Sequence, residues 1–107
     1  MNESRWWTVI VELSEPFSVE DEPTRFYESD RQSAEQKVSA FRLARVELVG
    51  RVTLRISAEV EGRTQFEATD QLWSAIEKVF YPDPEHPRFW SMKVTMNAKP
   101  MARQPAL

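Results

Sequence analysis

From Val46 to Val60 the chain alternates without interruption. The even positions read Val46, Leu48, Gly50, Val52, Leu54, Ile56, Ala58 and Val60, and the odd positions Glu47, Val49, Arg51, Thr53, Arg55, Ser57 and Glu59. A period of two marks sheet with one buried and one wetter face. A single strand this long exceeds the usual length of about five or six residues, so a hairpin is expected, turning at Gly50. Parity restricts its loop. A two-residue loop at 49–50 would oppose Leu48 to Arg51. A three-residue loop at 49–51 pairs Leu48 with Val52 and Val46 with Leu54, which keeps both apolar sets on one face. A bulge at Gly50 in one bent strand is the alternative.

The elements that cover this sheet are sought on either side. Arg5–Leu13 has strand composition, with Trp7, Val9, Val11 and Leu13 facing one way and Trp6, Thr8, Ile10 and Glu12 the other. Positions 14–23 carry Pro16, Pro23 and four carboxylates and read as an acidic loop, with Phe17 and Val19 folded back on the core. A short strand over Thr24–Glu28 leads to a helix capped at Ser29 or Asp30 and running to about Ala44, with Ala34, Val38 and Phe41 inward. After Glu61-Gly62 the pattern predicts a short strand over Thr64–Ala68. Thr69 or Asp70 then caps a second helix to Tyr81, with Leu72, Trp73, Ile76, Val79 and Phe80 as its buried stripe. Pro82, Pro84 and Pro87 exclude helix from the next loop. Phe89–Asn97 reads as the last strand.

The order is β-α-β-β-α-β with possible extra short strands. It predicts an α+β two-layer sandwich, a ferredoxin-like antiparallel sheet with two helices on one face. The domain is expected to span 1–98, with 99–107 a flexible tail. Thr24-Arg-Phe-Tyr-Glu-Ser-Asp resembles Thr64-Gln-Phe-Glu-Ala-Thr-Asp, and Ser33-Ala-Glu-Gln-Lys-Val resembles Ser74-Ala-Ile-Glu-Lys-Val. This suggests a pseudo-repeat of 5–49 and 51–98. Capped amphipathic helices also resemble one another without common descent.

Composition bears on function mainly by exclusion. The 107 residues contain no cysteine, one histidine and two glycines. Thiol chemistry and a Gly-rich phosphate loop therefore have no residues to draw on, and with a single histidine a nucleophile–base–orienter triad is not expected. His86 with Asp83 and Glu85 could be drawn as a metal site, but no second histidine supports it, and neither metal nor cofactor is expected. The net charge is −3. Residues 1–50 carry 6 basic and 10 acidic groups, and residues 51–107 carry 8 and 7. Such a chain has no general attraction to phosphate, so nucleic acid is not expected as a partner. No stretch has transmembrane length and no secretory leader is visible, so no membrane partner is expected and the cytoplasm is the expected location.

Two arrangements remain. If the even residues of 52–60 lie under the helices, Trp6, Ile10, Arg55, Phe89 and Lys93 gather on the open face. Tryptophan, phenylalanine and arginine are enriched where partners meet. This favours a non-catalytic interaction or regulatory module that self-associates, as a dimer, or binds a protein partner. The alternative is small-molecule binding or cofactor-independent catalysis in an aromatic pocket between sheet and helices, lined by Trp7, Trp73, Phe80 and Trp90. Core packing alone also accounts for those rings.

Overall fold

The computed structural model describes residues 3–14, 26–50, 52–80 and 93–102 of the chain. Among them the elements run β1 (Arg5–Ser14), α1 (Glu28–Val38), β2 (Arg42–Val49), β3 (Thr53–Gly62), α2 (Gln65–Phe80) and β4 (Lys93–Pro100). The class is α+β. These four strands form one open antiparallel sheet in the order β2-β3-β1-β4, accompanied by the two helices. The central strands are thus β1 and β3, and β2 and β4 are the edges.

The alternation that opens the chain's pattern sets the core. Val9, Val11 and Leu13 on β1 lie opposite Ala58, Ile56 and Leu54 on β3, and all six are buried. Val46 on β2 extends the Ile56 row and Ala98 on β4 the Val9 row. Ala68, Leu72, Ile76 and Phe80 recur every fourth residue on α2, which aligns them along one side of a helix of 3.6 residues per turn. With Ala34 and Val38 of α1 they join the sheet residues in a single cluster, so both helices cover the same side of the sheet. Each large aliphatic side chain so buried contributes roughly 1.5–3 kcal/mol. The rings of Phe26 and Phe80 meet edge to face, with centroids 5.9 Å apart.

Several local expectations are corrected. The hairpin pairs Val49 with Thr53, Leu48 with Leu54 and Val46 with Ile56, two residues on from the expected register. Parity is unchanged, so the apolar residues still share a face. Gly50 supplies the left-handed turn conformation at φ +68°. Helix α1 stops at Val38, well before Ala44. Ser39 donates its hydroxyl to the Gln36 carbonyl at 2.8 Å, and Phe41 N–H bonds the Val38 carbonyl at 2.9 Å. The local bond ends the ladder, as serine side chains commonly do. The residues released become the first part of β2. The helix also starts earlier than Ser29: the Asp30 carboxylate accepts the Tyr27 backbone N–H at 2.8 Å, from the third helical position.

No strand forms over Thr64–Ala68. The Thr64 hydroxyl accepts the Glu67 N–H at 3.0 Å and so caps α2, five residues ahead of Thr69. Strand β4 runs to Pro100, into the segment expected to be tail, because its pairing with β1 continues to Trp7 opposite Pro100. Val52 belongs to the turn and not to the core. Phe17, Val19 and Trp90, also expected to pack inward, lie outside the described residues.

Candidate functional site

The side of the sheet away from the helices carries the odd residues of β3 and the even residues of β1. Its cross-strand rows follow from the register. One row reads Arg42, Glu59, Thr8, Lys99; the next Arg45, Ser57, Ile10, Asn97; the next Glu47, Arg55, Glu12, Thr95; and the last Val49, Thr53, Ser14, Lys93. Beyond the first row Glu61 lies opposite Trp6, whose carbonyl accepts the Met101 N–H at 3.1 Å.

The three arginines described on this face meet glutamates. Arg55 donates to Glu12 at 3.2 Å across β3 and β1, where both side chains are partly exposed. Arg45 meets Glu47 at 2.8 Å along β2, two residues apart and therefore on one face. Pairs this open contribute about 1 kcal/mol or less. Arg42 and Glu59 differ from them. Glu59 is only 8% exposed, so its carboxylate depends on a partner, and Arg42 Nε stands 3.4 Å away. The Arg42 guanidinium also lies over the Trp6 ring, 5.7 Å from its centroid.

A bulge brings Arg42 to this position. Arg42 faces Glu59 and Arg45 faces Ser57, so β2 holds one more residue here than β3. Without the extra residue Arg42 would share the parity of Val46 and point under the helices. The bulge includes Leu43, at φ +50° and 74% exposed.

Four of the five residues expected to form an interface share this face. Trp6 and Ile10 are half-buried on β1, Arg55 is paired with Glu12, and Lys93 is exposed at the outer edge opposite Ser14. Phe89 lies outside the described residues. Sequence reasoning missed Arg42 and Glu59. Arg42 was expected within the first helix, and nothing in the alternation shows a bulge. Glu59 was legible as an odd-face residue, but its burial was not.

The aromatic pocket candidates are spread along the core. Trp7 donates its indole N–H to the Gly62 carbonyl at 2.9 Å, at the end of the sheet where α2 begins. Phe80 closes the other end of α2, about 22 Å further on at 1.5 Å per residue. Trp73 is half-buried between them and packs against the core. Trp90 lies outside the described residues, as do His86, Asp83 and Glu85. Among the described residues, no group of three or more His, Cys, Asp or Glu side chains is placed to hold a metal ion. No described helix is long and apolar enough to cross a membrane. No protein-family model, curated protein or solved structure matches the chain.

Proposed function

We propose that the chain is a non-catalytic interaction module that self-associates as a homodimer through its open sheet face, in the cytoplasm and without a cofactor or metal. The observation that carries this reading is that, among the described residues, the half-buried Trp6 and Ile10 stand on the face that neither helix covers, and that the arginines described there already meet glutamates. Large apolar groups there favour a partner, and covering the face strands no unpaired arginine. The paired guanidiniums also leave little positive potential to draw phosphate, which speaks against nucleic acid as the partner.

The two sheet edges are poorer surfaces for a partner strand. The bulge and two arginines interrupt β2, and β4 carries Lys93 and Lys99 near its ends and finishes at Pro100. At strand spacings of about 4.8 Å and rises of about 3.4 Å, the face measures roughly 19 by 27 Å. Two copies would cover about 1,000 Å², near the floor for a specific interface. The ferredoxin-like assignment is part of the same proposal. Its support is interleaving: β3 lies between β1 and β2, and β1 between β3 and β4.

Sedimentation equilibrium with Ile10→Glu alongside the parent tests the reading. A dimeric parent and a monomeric, folded Ile10→Glu support it. A parent that stays monomeric at high micromolar concentration sinks it.

A further inference from the structure

The rows of the open face have a symmetry of charge that specifies how two copies would meet. Ile10 and Ser57 are paired and occupy the middle row, since Trp6 and Ser14 lie four residues either side on β1, and Thr53 and Glu61 on β3. On one side of this row β2 and β3 present Arg42 and Glu59; on the other they present Glu47 and Arg55. The two flanking rows have opposite signs on β2 and on β3, while β1 and β4 place Thr8 and Lys99 in one row and Glu12 and Thr95 in the other.

We infer that the partner is a second copy of this chain, related by a two-fold axis that lies in the face and runs across the strands along the Ile10 row. This rests on the self-association proposed above and adds its geometry. Rotation about that axis exchanges the two flanking rows. Arg55 then faces the second copy's Glu59, and Glu47 faces its Arg42. Ile10 packs on its own symmetry mate at the centre. Trp6 lies over the second copy's Ser14, a small residue that leaves room for the ring. Aligned stacking of sheets about 10 Å apart accommodates this arrangement.

The other in-plane axis runs along the strands and is worse matched. It would place Arg42 over Lys99, Val49 over Lys93 and Trp6 over Glu61. Like charges and buried carboxylates of that kind act against an interface. The chosen axis brings Arg45 near its own mate, but this residue is exposed at the sheet edge and is held by Glu47.

The absence of cysteine makes the test direct, because each introduced thiol is the only one in the chain. Ile10→Cys, Thr53→Cys and Glu61→Cys are made separately and treated with a short bis-maleimide after their mass in solution is measured. The expected result is near-complete conversion of Ile10→Cys to a covalent dimer. Thr53→Cys and Glu61→Cys should remain uncoupled alone and couple when mixed, because rotation exchanges their positions. A dimer by mass in which Ile10→Cys does not couple, or in which Thr53→Cys and Glu61→Cys fail to couple with each other, overturns the axis and leaves self-association standing. A parent that is a monomer by mass overturns both.

Discussion

Trp7 donates its indole N–H to the carbonyl oxygen of Gly62, 2.9 Å away, and so ties β1 to the last residue of β3 just before α2 begins. The same glycine lies against the start of the helix. A Cβ placed on Gly62 would stand 3.2 Å from the Ala68 backbone nitrogen and 3.4 Å from its Cα. Ala68 cannot easily give way. It is fully buried, and its N–H is bonded to the Thr64 carbonyl at 3.1 Å. Glycine to alanine within a strand normally gains about 0.5–1 kcal/mol from the backbone. Here the crowding is expected to outweigh it, so Gly62→Ala should lose stability by roughly 1 kcal/mol or more. Urea denaturation checks this, and a midpoint above the parent's would show that α2 moves aside freely.

Leu43 offers a prediction of the opposite sign. Its left-handed backbone costs an ordinary side chain roughly 1–2 kcal/mol, and its exposure means that little packing is returned. Asparagine tolerates this conformation better. Leu43→Asn is expected to raise stability by about 0.5–1 kcal/mol, and Leu43→Val to lower it, since branching at Cβ worsens the clash. Thermal melts of the two variants should therefore fall on opposite sides of the parent. If both fall below it, the side chain contributes packing that outweighs its strain.

How far the fold was legible follows from where local and tertiary signals agree. The faces of β1 and β3 could be read because burial on one side writes a period of two directly into Val9, Val11, Leu13 and Leu54, Ile56, Ala58. The α2 stripe could be read because Leu72, Ile76 and Phe80 repeat at helical spacing. Boundaries were less accessible. Thr64 and Thr69 are both good caps by residue type, and Thr69 instead bonds back to the Gln65 and Phe66 carbonyls within the helix. The stretch Phe41–Arg45 has the apolar spacing of a continuing helix, and only the pairing of Arg42 and Arg45 with β3 makes strand of it from Arg42 on. Of the candidate site, Trp6 and Ile10 were visible from parity. Arg42 was not, because a bulge is a property of two strands together and leaves no mark in one.

The exposed side of α1 carries three linked titratable groups. Arg31 reaches both Glu28 and Glu35, three residues before it and four after. The hydrogen bond from Arg31 holds the Glu28 carboxyl below its usual range, and both glutamates hold the Arg31 guanidinium above its own. A carboxyl whose folded value is depressed adds stability above its unfolded value and loses it as pH falls through the folded one. The contribution of Glu28 should therefore fade below about pH 4. A carbon-detected NMR titration of Glu28 checks the direction. Its midpoint should move up in Arg31→Gln, and an unchanged midpoint would show that the contact between Glu28 and Arg31 is not held in solution.

The last prediction compares two adjacent residues on β3. Ile56 is fully buried, with Val11 opposite on β1 and Val46 opposite on β2. Arg55 faces the other way, between Glu12 and Glu47. Ile56→Asp places a carboxylate among aliphatic groups with no cation near, and should cost about 4 kcal/mol or more, enough to unfold many small domains. Arg55→Asp sets a third carboxylate between two others, but on a partly exposed face where water screens them. Its cost should be about 1 kcal/mol. Because Arg55 is also the residue expected to meet Glu59 of a second copy, the milder variant should stay folded and lose dimer affinity. Circular dichroism and sedimentation on the same samples separate the two effects. An Arg55→Asp protein that unfolds while Ile56→Asp melts like the parent would mean that the helices cover the opposite side of the sheet. A folded Arg55→Asp that dimerises as tightly as the parent would mean that the contact between copies does not involve β3.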